Sequence, residues 1–314
     1  MYKSDFYPLE SGNESMFSDY SALYNAVDSL DNPDHIKLTK DYFQSSFSTS
    51  NIDPESDVVL VRNSSGLLIA SGIIAPQNGS PSTSRLIIQV HPSYRQQGLG
   101  SRLLHHLTEL GRARGSTEFV CRIPSYRLYV APFVKKHSFM HDSSWIKMRI
   151  EHKIPVSTPS LPWGLTIRGI NIKKELGVWA DIQNTIFKDY PRYEVVDVET
   201  LRFLTEQGSF DQNLVVLCIA SEKPVGYGFG YSLSSENGEK ILKIRGMGIL
   251  PEYRRHRYGQ ALLYELLNRA YIKGHTSSEV VISSTNRLAI RFYEKCGFQE
   301  YYKYLWYKRD ISKE

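Results

Sequence analysis

Cysteine is scarce in this chain. Cys121, Cys218 and Cys296 are the three among 314 residues. An odd number without CxxC spacing excludes a disulfide framework and points to reduced thiols in a cytoplasmic protein. Apolar runs are short, and none approaches the ~20 residues of a membrane span. The start, Met1-Tyr2-Lys3-Ser4-Asp5, has no apolar stretch, so no secretory leader is expected. The nine histidines are scattered, and no cluster has metal-ligand spacing, so no metal is expected. No loop ends in Gly-Lys-Ser/Thr, which excludes a nucleotide P-loop. Charge of one sign is not in excess either. The formal net charge of +5 suits anionic small ligands but is too diffuse to argue for nucleic acid.

What is present is ordinary globular composition, 41% apolar and 23% charged, in a chain longer than one core usually fills. Two domains are the natural expectation. Within it one stretch stands out. Ile87, Ile88, Gln89 and Val90 end a strand that Pro92 stops, and Leu99, Leu103, Leu104, Leu107 and Leu110 then recur at helical spacing. Between them lie Arg95-Gln96-Gln97-Gly98-Leu99-Gly100-Ser101. A helix start exposes unpaired N–H groups and positive dipole potential, and glycines let an anion approach the backbone, so this loop reads as a phosphate cradle. It is not a dinucleotide loop, because Leu103 holds the third glycine position.

The loop resembles motif A of the GCN5-related N-acetyltransferases (GNAT), Arg/Gln-x-x-Gly-x-Gly/Ala after a strand ending in Val-x-Pro. The resemblance implies that the loop and helix start bind the pyrophosphate of coenzyme A. It also implies that the backbone of the preceding strand, here Ile88, Gln89 and Val90, holds the thioester carbonyl.

Along the chain, helices are expected around Tyr20–Leu30 and Thr39–Phe47, then a hairpin of Val58–Val61 and Leu67–Ile74. A polar loop is expected over Ala75–Ser84, a strand over Phe119–Ile123, a helix over Leu128–Lys136 and a closing strand over Trp145–Ile150. Residues 151–163 carry Pro155, Pro159 and Pro162 among serines and read as a linker. After it the order returns: strand, helix, hairpin, the polar loop Ser234–Gly238, the strand Ile241–Leu250, a long leucine-rich helix, the strand Val280–Ile282, the helix Asn286–Lys295 and a last strand Tyr301–Tyr307.

The return is in register. A constant offset of 159 pairs Pro92 with Pro251, Arg95 with Arg254, Gly100 with Gly259, Leu107 with Leu266 and Phe139 with Phe298. Two copies of one fold follow. The expected architecture is mixed α/β, each copy a mostly antiparallel sheet flanked by helices: residues 1–150, a linker 151–163, and residues 164–314.

The copies are unequal. In the second, Arg254-Arg255-His256-Arg257-Tyr258-Gly259-Gln260 puts Arg257 where the first has Gly98. The amides still suit a phosphate if φ at Arg257 is negative. Its side chain either adds a phosphate contact or points to solvent. The segment Asn286 to Phe298 fills every fixed position of the family's motif B, Asn-x-x-Ala-x-x-Phe/Leu-Tyr-x-x-x-Gly-Phe. The resemblance implies that Tyr293 protonates the departing thiolate, that Asn286 bonds the pantetheine arm, and that Met247, Gly248 and Ile249 hold the acetyl carbonyl. At the same offset the first copy has Val134, Arg127 and Ser138 in place of Tyr293, Asn286 and Gly297, and Tyr126 or Tyr129 could substitute only sterically. This uneven tandem resembles the mycothiol synthase type of double-domain acetyltransferase in arrangement and motifs.

The expected reaction is direct acetyl transfer from acetyl-coenzyme A to a primary amine of a small molecule or peptide, in the second copy of a monomer or homodimer, without metal, membrane or nucleic acid. The alternatives are a coenzyme A-binding regulatory module without turnover, or transfer of a longer acyl group. Candidate bases are Glu194, Asp197 and Glu239. Lys243 and Arg245 alternate onto one sheet face and either favour an anionic acceptor or are ordinary sheet charge.

Overall fold

The computed structural model describes residues 6–49, 52–77, 80–154, 163–190, 193, 195–206, 210–234 and 239–312. The expected polar loop 234–238 and the proline-rich 155–162 fall almost wholly outside them.

The first half runs β1 (Phe6–Pro8), α1 (Glu14–Asp28), α2 (Lys40–Thr49), α3 (Pro54–Asp57), β2 (Val58–Arg62), β3 (Leu68–Gln77), β4 (Ser80–Val90), α4 (Leu99–Ala113), β5 (Glu118–Pro124), α5 (Ala131–Lys136) and β6 (Met140–Glu151). The second runs β7 (Leu165–Gly169), α6 (Ile172–Phe187), α7 (Val198–Thr205), β8 (Val215–Ala220), β9 (Lys223–Ser234), β10 (Lys240–Ile249), α8 (Tyr258–Ile272), β11 (His275–Ser283), α9 (Arg287–Lys295) and β12 (Gln299–Asp310). From α4 onward the 159-residue offset fits the boundaries: Leu99–Ala113 becomes Tyr258–Ile272, and Met140–Glu151 becomes Gln299–Asp310.

Local chemistry explains the elements. The Asn13 side chain accepts the Met16 N–H and starts α1, whose Phe17, Tyr20, Leu23 and Val27 are buried at helical spacing. The α-helix expected over Leu128–Lys136 begins only at Ala131, with Pro132 in its first turn, where the missing N–H has no intrahelical partner to lose. The expected loop 75–84 is mostly strand: β3 continues to Gln77 and β4 resumes at Ser80. Serines and threonines do not prevent strand formation when the backbone ladder is satisfied on both sides. The short α7 was not foreseen; Asp197 caps it and Leu201 anchors it.

Each unit has two apolar layers on one sheet. In the first, Leu103, Leu104 and Leu107 of α4 pack with Val61, Ile69, Ile74 and Phe119, while α1 and α2 cover Val58, Leu60 and Ile73 on the other face. In the second, Leu262, Leu263 and Leu266 of α8 pack with Val216, Leu242 and Val280, and Trp179 of α6 covers Leu217, Tyr227 and Phe229. Truncating a fully buried leucine such as Leu107 to alanine costs ~2–5 kcal/mol.

The compact units do not follow the expected domain boundaries. One comprises residues 1–144 with 303–314, the other residues 145–302. In the first, β12 runs antiparallel to β5, with Tyr307 across from Cys121. In the second, β6 runs antiparallel to β11, with Met148 across from Val280. These are the same pairing at the 159 offset, with the last strands exchanged. The division at 151–163 therefore needs correction. Two strands of equal length and pattern can each complete either sheet, and nothing local assigns one to the other.

Candidate functional site

Both units open a gap in the sheet at the same place. The single parallel pairing in each, β4 with β5 and β10 with β11, stops at Arg85–Val120 and at Ile244–Val280. Beyond it β4 and β10 stay paired only with β3 and β9. The N–H groups of His91 and Leu250 donate back to Ile69 and Val225. Strand alternation therefore turns the N–H groups of Ile88 and Val90, and of Met247 and Ile249, into the gap. Gln89 and Gly248 turn theirs toward the neighbouring strand. Gln89 uses its side chain on Ser71 at 3.3 Å. Gly248 admits Ile186 of α6, which would lie 2.7 Å from any Cβ placed there.

The units differ in the strand itself. β10 carries a bulge between Ile244 and Gly246, so Arg245 is an extra residue, exposed to solvent. β4 has no bulge there. The bulge splits the faces: Gly246 meets Tyr227 and Gly248 meets Ile186 of α6, while Met247 and Ile249 pack toward α8. Lys243 and Arg245 are therefore separated by an irregularity and are not a regular alternating pair.

Below each gap lies a loop of matching shape. Gln96 and Gly98 have φ of 59° and 82°, and Arg255 and Arg257 have 68° and 62°. Arg257 thus adopts the left-handed conformation of Gly98, so the negative φ set as the condition for phosphate docking is not met, although the loop keeps the shape of the first copy. The left-handed conformation costs ~1–2 kcal/mol. A Cβ at Gly98 would meet nothing within 4 Å. The loop is open above its amides, and α4 and α8 point their N-terminal N–H groups into it. Arg95 and Arg254 pin the loops to the strand ends, their Nε donating to Val90 O at 3.3 Å and Ile249 O at 2.9 Å. Gln96, Gln97, Arg255, His256 and Arg257 are exposed on the loops, Leu99 is buried in the core, and Gly100 and Gly259 let Phe133 and Phe292 approach the helix start. Ser101 bonds His137 at 2.8 Å; Gln260 donates to the Tyr264 hydroxyl at 3.0 Å, with Tyr258 beside the His256 ring.

The fourth element after the gap separates the units. Asn286 caps α9, its Oδ1 accepting the Ala289 N–H at 3.1 Å, which leaves its Nδ2 for a ligand. Tyr293 is buried beside Phe292 and Phe298, with ring centroids 5.2 and 5.1 Å away. Burial, chiefly, raises its phenol pKa well above the ordinary value, so it remains an O–H donor at neutral pH. The Tyr227 hydroxyl presses against Gly246. Tyr227 of β9 therefore meets the bulge of β10. In the first unit Arg127 stands where Asn286 does, bound to Asp28 at 2.8 Å and Asp31 at 2.9 Å. Val134 is core. Tyr129 lies under Arg95 at 4.6 Å, and Tyr126 is half-buried beside Arg127. Ser138 takes the left-handed φ that Gly297 has in the second unit, 57° against 92°.

The mouths differ in the same sense. In the second unit the chain after α6 brings Tyr190 edge-on to Trp145 at 6.5 Å, with Phe187 edge-on to Tyr190 and tilted against Tyr193. In the first, the ion pairs of Asp28 and Asp31 with Arg127 bridge the segment after α1 to the segment after β5, and His35 joins Asp28 at 3.0 Å.

The candidate bases fare poorly. Asp197 accepts the Thr200 N–H at 2.7 Å, which holds its carboxyl below the usual range. Glu239 lies outside β10, and Glu194 is outside the described residues. The sequence reading missed Glu279. It is buried beneath the gap, with Lys147, Lys243 and Arg149 gathered on its oxygens. The exchanged strand β6 supplies two of those cations. Among the described residues no group of His, Cys, Asp or Glu is placed to hold a metal, and no helix is long and apolar enough to cross a membrane.

Residues 20–134 and 179–298 match the sequence profile of the Acetyltransferase (GNAT) family. The mycothiol acetyltransferase of Renibacterium salmoninarum is 22% identical over 74% of this chain and 69% of its own length. That of Thermobispora bispora is 24% identical over 76% of this chain and 80% of its own length. A GCN5-related N-acetyltransferase from Sphaerobacter thermophilus has the same fold at TM-score 0.79 and 18% identity, covering 98% of this chain and 96% of that one. A tandem GNAT protein from the clavulanic acid biosynthesis pathway also reaches TM-score 0.79, at 15% identity, covering 99% of this chain and 100% of that one.

Proposed function

The chain belongs to the Acetyltransferase (GNAT) family, and from that premise we propose that its C-terminal unit moves an acetyl group from acetyl-coenzyme A to a primary amine of a small molecule or peptide. The N-terminal unit binds coenzyme A without turnover. The observation that carries the division is Tyr293 against Arg127 and Val134. One unit carries a buried, protonated phenol at this position; the other carries valine there, and a guanidinium locked to two aspartates in place of the asparagine.

The residues fit the cosubstrate. The amides at the start of α8, under the left-handed Arg257, receive the pyrophosphate. Asn286 Nδ2 reaches the pantetheine arm, and the N–H groups of Met247 and Ile249 face the acyl carbonyl. Bound acetyl-coenzyme A supplies an activated acyl carbon and a thiolate leaving group. The two amides are fixed before reaction and stabilise charge developing on the carbonyl oxygen. Tyr293 donates a hydrogen bond to the developing thiolate. Because its pKa is raised, donation rather than full ionisation is its main contribution. Glu279 and Asp197 are both engaged, so the acceptor ammonium loses its proton to water at the mouth lined by Trp145 and Tyr190. The relatives named mycothiol acetyltransferases support a small-molecule amine as the acceptor class.

The test is product mass spectrometry with acetyl-coenzyme A over amines, antibiotics, thiol sugars and peptide N-termini. Wild type should acetylate at least one class. Tyr293→Phe should lower turnover by about 10²–10⁴-fold with coenzyme A binding unchanged. No product from wild type overturns the reading. Two equivalents of coenzyme A per chain are expected if both cradles work; a single equivalent at residues 254–259 makes the first vestigial.

A further inference from the structure

Beneath the two gaps the same sheet positions hold different charges. In the C-terminal unit Lys243 pairs across to Glu279, which faces Arg149, and Lys147 sits one step along. One buried carboxylate serves three cations. In the N-terminal unit Arg85 pairs across to Val120, which faces Lys308. Val120 holds the place of Glu279, so the carboxylate is gone while the cations remain. Arg122 adds a further guanidinium two residues on, in the same sheet face.

Lys308 finds Asp142 at 3.0 Å. Arg85 and Arg122 find no carboxylate among the described residues. Arg85 is half-buried, and its Nε is buried without a hydrogen-bond partner. Burial, and after it the charge of Arg122, holds its pKa below the ordinary value. Nearby acids are committed elsewhere. Glu118 is reached by Thr83, Asp310 accepts from Ser312, and Asp28 and Asp31 hold Arg127. Arg122 is exposed and lies over Tyr304 at 4.5 Å and beside Trp306 at 5.9 Å. The buried, unpartnered Nε of Arg85, with a second cation nearby on the same sheet face, is costly until an acceptor reaches it. Planar guanidinia take carboxylates in paired hydrogen bonds, and the Tyr304 and Trp306 rings flank that of Arg122.

We infer that the N-terminal unit binds a small-molecule carboxylate between Arg85 and Arg122, against the Tyr304 and Trp306 rings, in the place Glu279 fills in the other unit. The site lies at the closed end of a gap that the Arg127 ion pairs bridge at its mouth. It is independent of acyl transfer, because binding is read directly.

The experiment is isothermal titration of glutarate into the full chain. Wild type should take up one equivalent saturably. Arg122→Gln and Arg85→Gln should each weaken uptake by more than about tenfold. Val120→Glu, which supplies the carboxylate internally, should abolish it, while Lys243→Gln in the C-terminal unit should leave it unchanged. If circular dichroism shows Val120→Glu unfolded, the exposed Arg122→Gln decides. No uptake by wild type, uptake unchanged in both arginine variants, or saturable uptake of inorganic phosphate without glutarate overturns the inference. Loss of acetylation with glutarate uptake intact counts against the transferase reading alone.

Discussion

Under the gap of the C-terminal unit stands Glu279, and under that of the N-terminal unit stands Val120. At the mouths, Trp145 and Tyr190 face each other in one unit, and Arg127 grips Asp28 and Asp31 in the other. The backbone is the same in both: a parallel pair that stops early, two amides turned into the gap, and a loop with two left-handed residues. Divergence has spared the backbone device and exchanged the charges around it. The catalytic-looking unit neutralises its cations internally and leaves an aromatic mouth. The other bridges its mouth with ion pairs and leaves two arginines uncompensated.

The largest effect should come from separating the units where the sequence suggests. Residues 164–314 alone lack β6, so β11 loses its antiparallel partner, and Glu279 loses Lys147 and Arg149. This fragment should show no cooperative unfolding by circular dichroism, whereas residues 145–302 should. A cooperative 164–314 would return the boundary to the linker.

Next in size is Glu279→Gln. It strands Lys147 in the interior and should cost about 3–5 kcal/mol in urea denaturation. The mirror change, Arg85→Met in the N-terminal unit, should cost nothing or stabilise, since it removes an unpaired buried donor. Equal costs in the two units would break the contrast.

Acid sensitivity should differ between the units at one matched position. His152 bonds Ser278 at 2.7 Å, and its pKa is pushed down to about 4, first by burial and then by His275. At the 159 offset its place in the other unit is taken by the buried Ile311. A folded pKa below the unfolded 6.5 means that the unfolded chain takes the proton first. The stabilisation is therefore full above that value and is lost as pH falls through about 4. After discounting for partial exposure, the loss should be about 1–2 kcal/mol. Denaturation of wild type and His152→Ile across this range should differ by that slope; parallel curves would remove the asymmetry.

The smallest effect concerns the cradles. Arg257→Gly relieves a left-handed non-glycine residue and should raise stability by about 1 kcal/mol, and Gly98→Arg should cost a similar amount. Thermal melts check both. A fall in coenzyme A affinity in Arg257→Gly would show that the exposed side chain reaches a phosphate.

Much of this was legible in the sequence because it is written in neighbouring residues. Leu103, Leu104 and Leu107 give the buried face of α4 by spacing alone. Asn286 and Gly297 mark the ends of α9 by their capping chemistry. The 159-residue offset exposed the duplication and the replacement of Tyr293 by Val134. Glu279 was passed over because its neighbours in sequence, Ser278 and Val280, are unremarkable, and its three cations lie on two other strands. The bulge at Arg245 was equally silent: one extra residue changes which way Gly246 and Gly248 face without altering composition.

By itself, then, the sequence determined that there are two copies, where their cradles and helices lie, and which copy keeps the tyrosine. These depend on φ preferences, caps and periodicities that act within a few residues. Only the tertiary structure decided that β6 and β12 change places, that Glu279 gathers cations from an exchanged strand, and that Arg85 and Arg122 are left facing each other over Val120. Strand partnership is a long-range choice between near-equal alternatives, and the charges that meet across it are set by that choice.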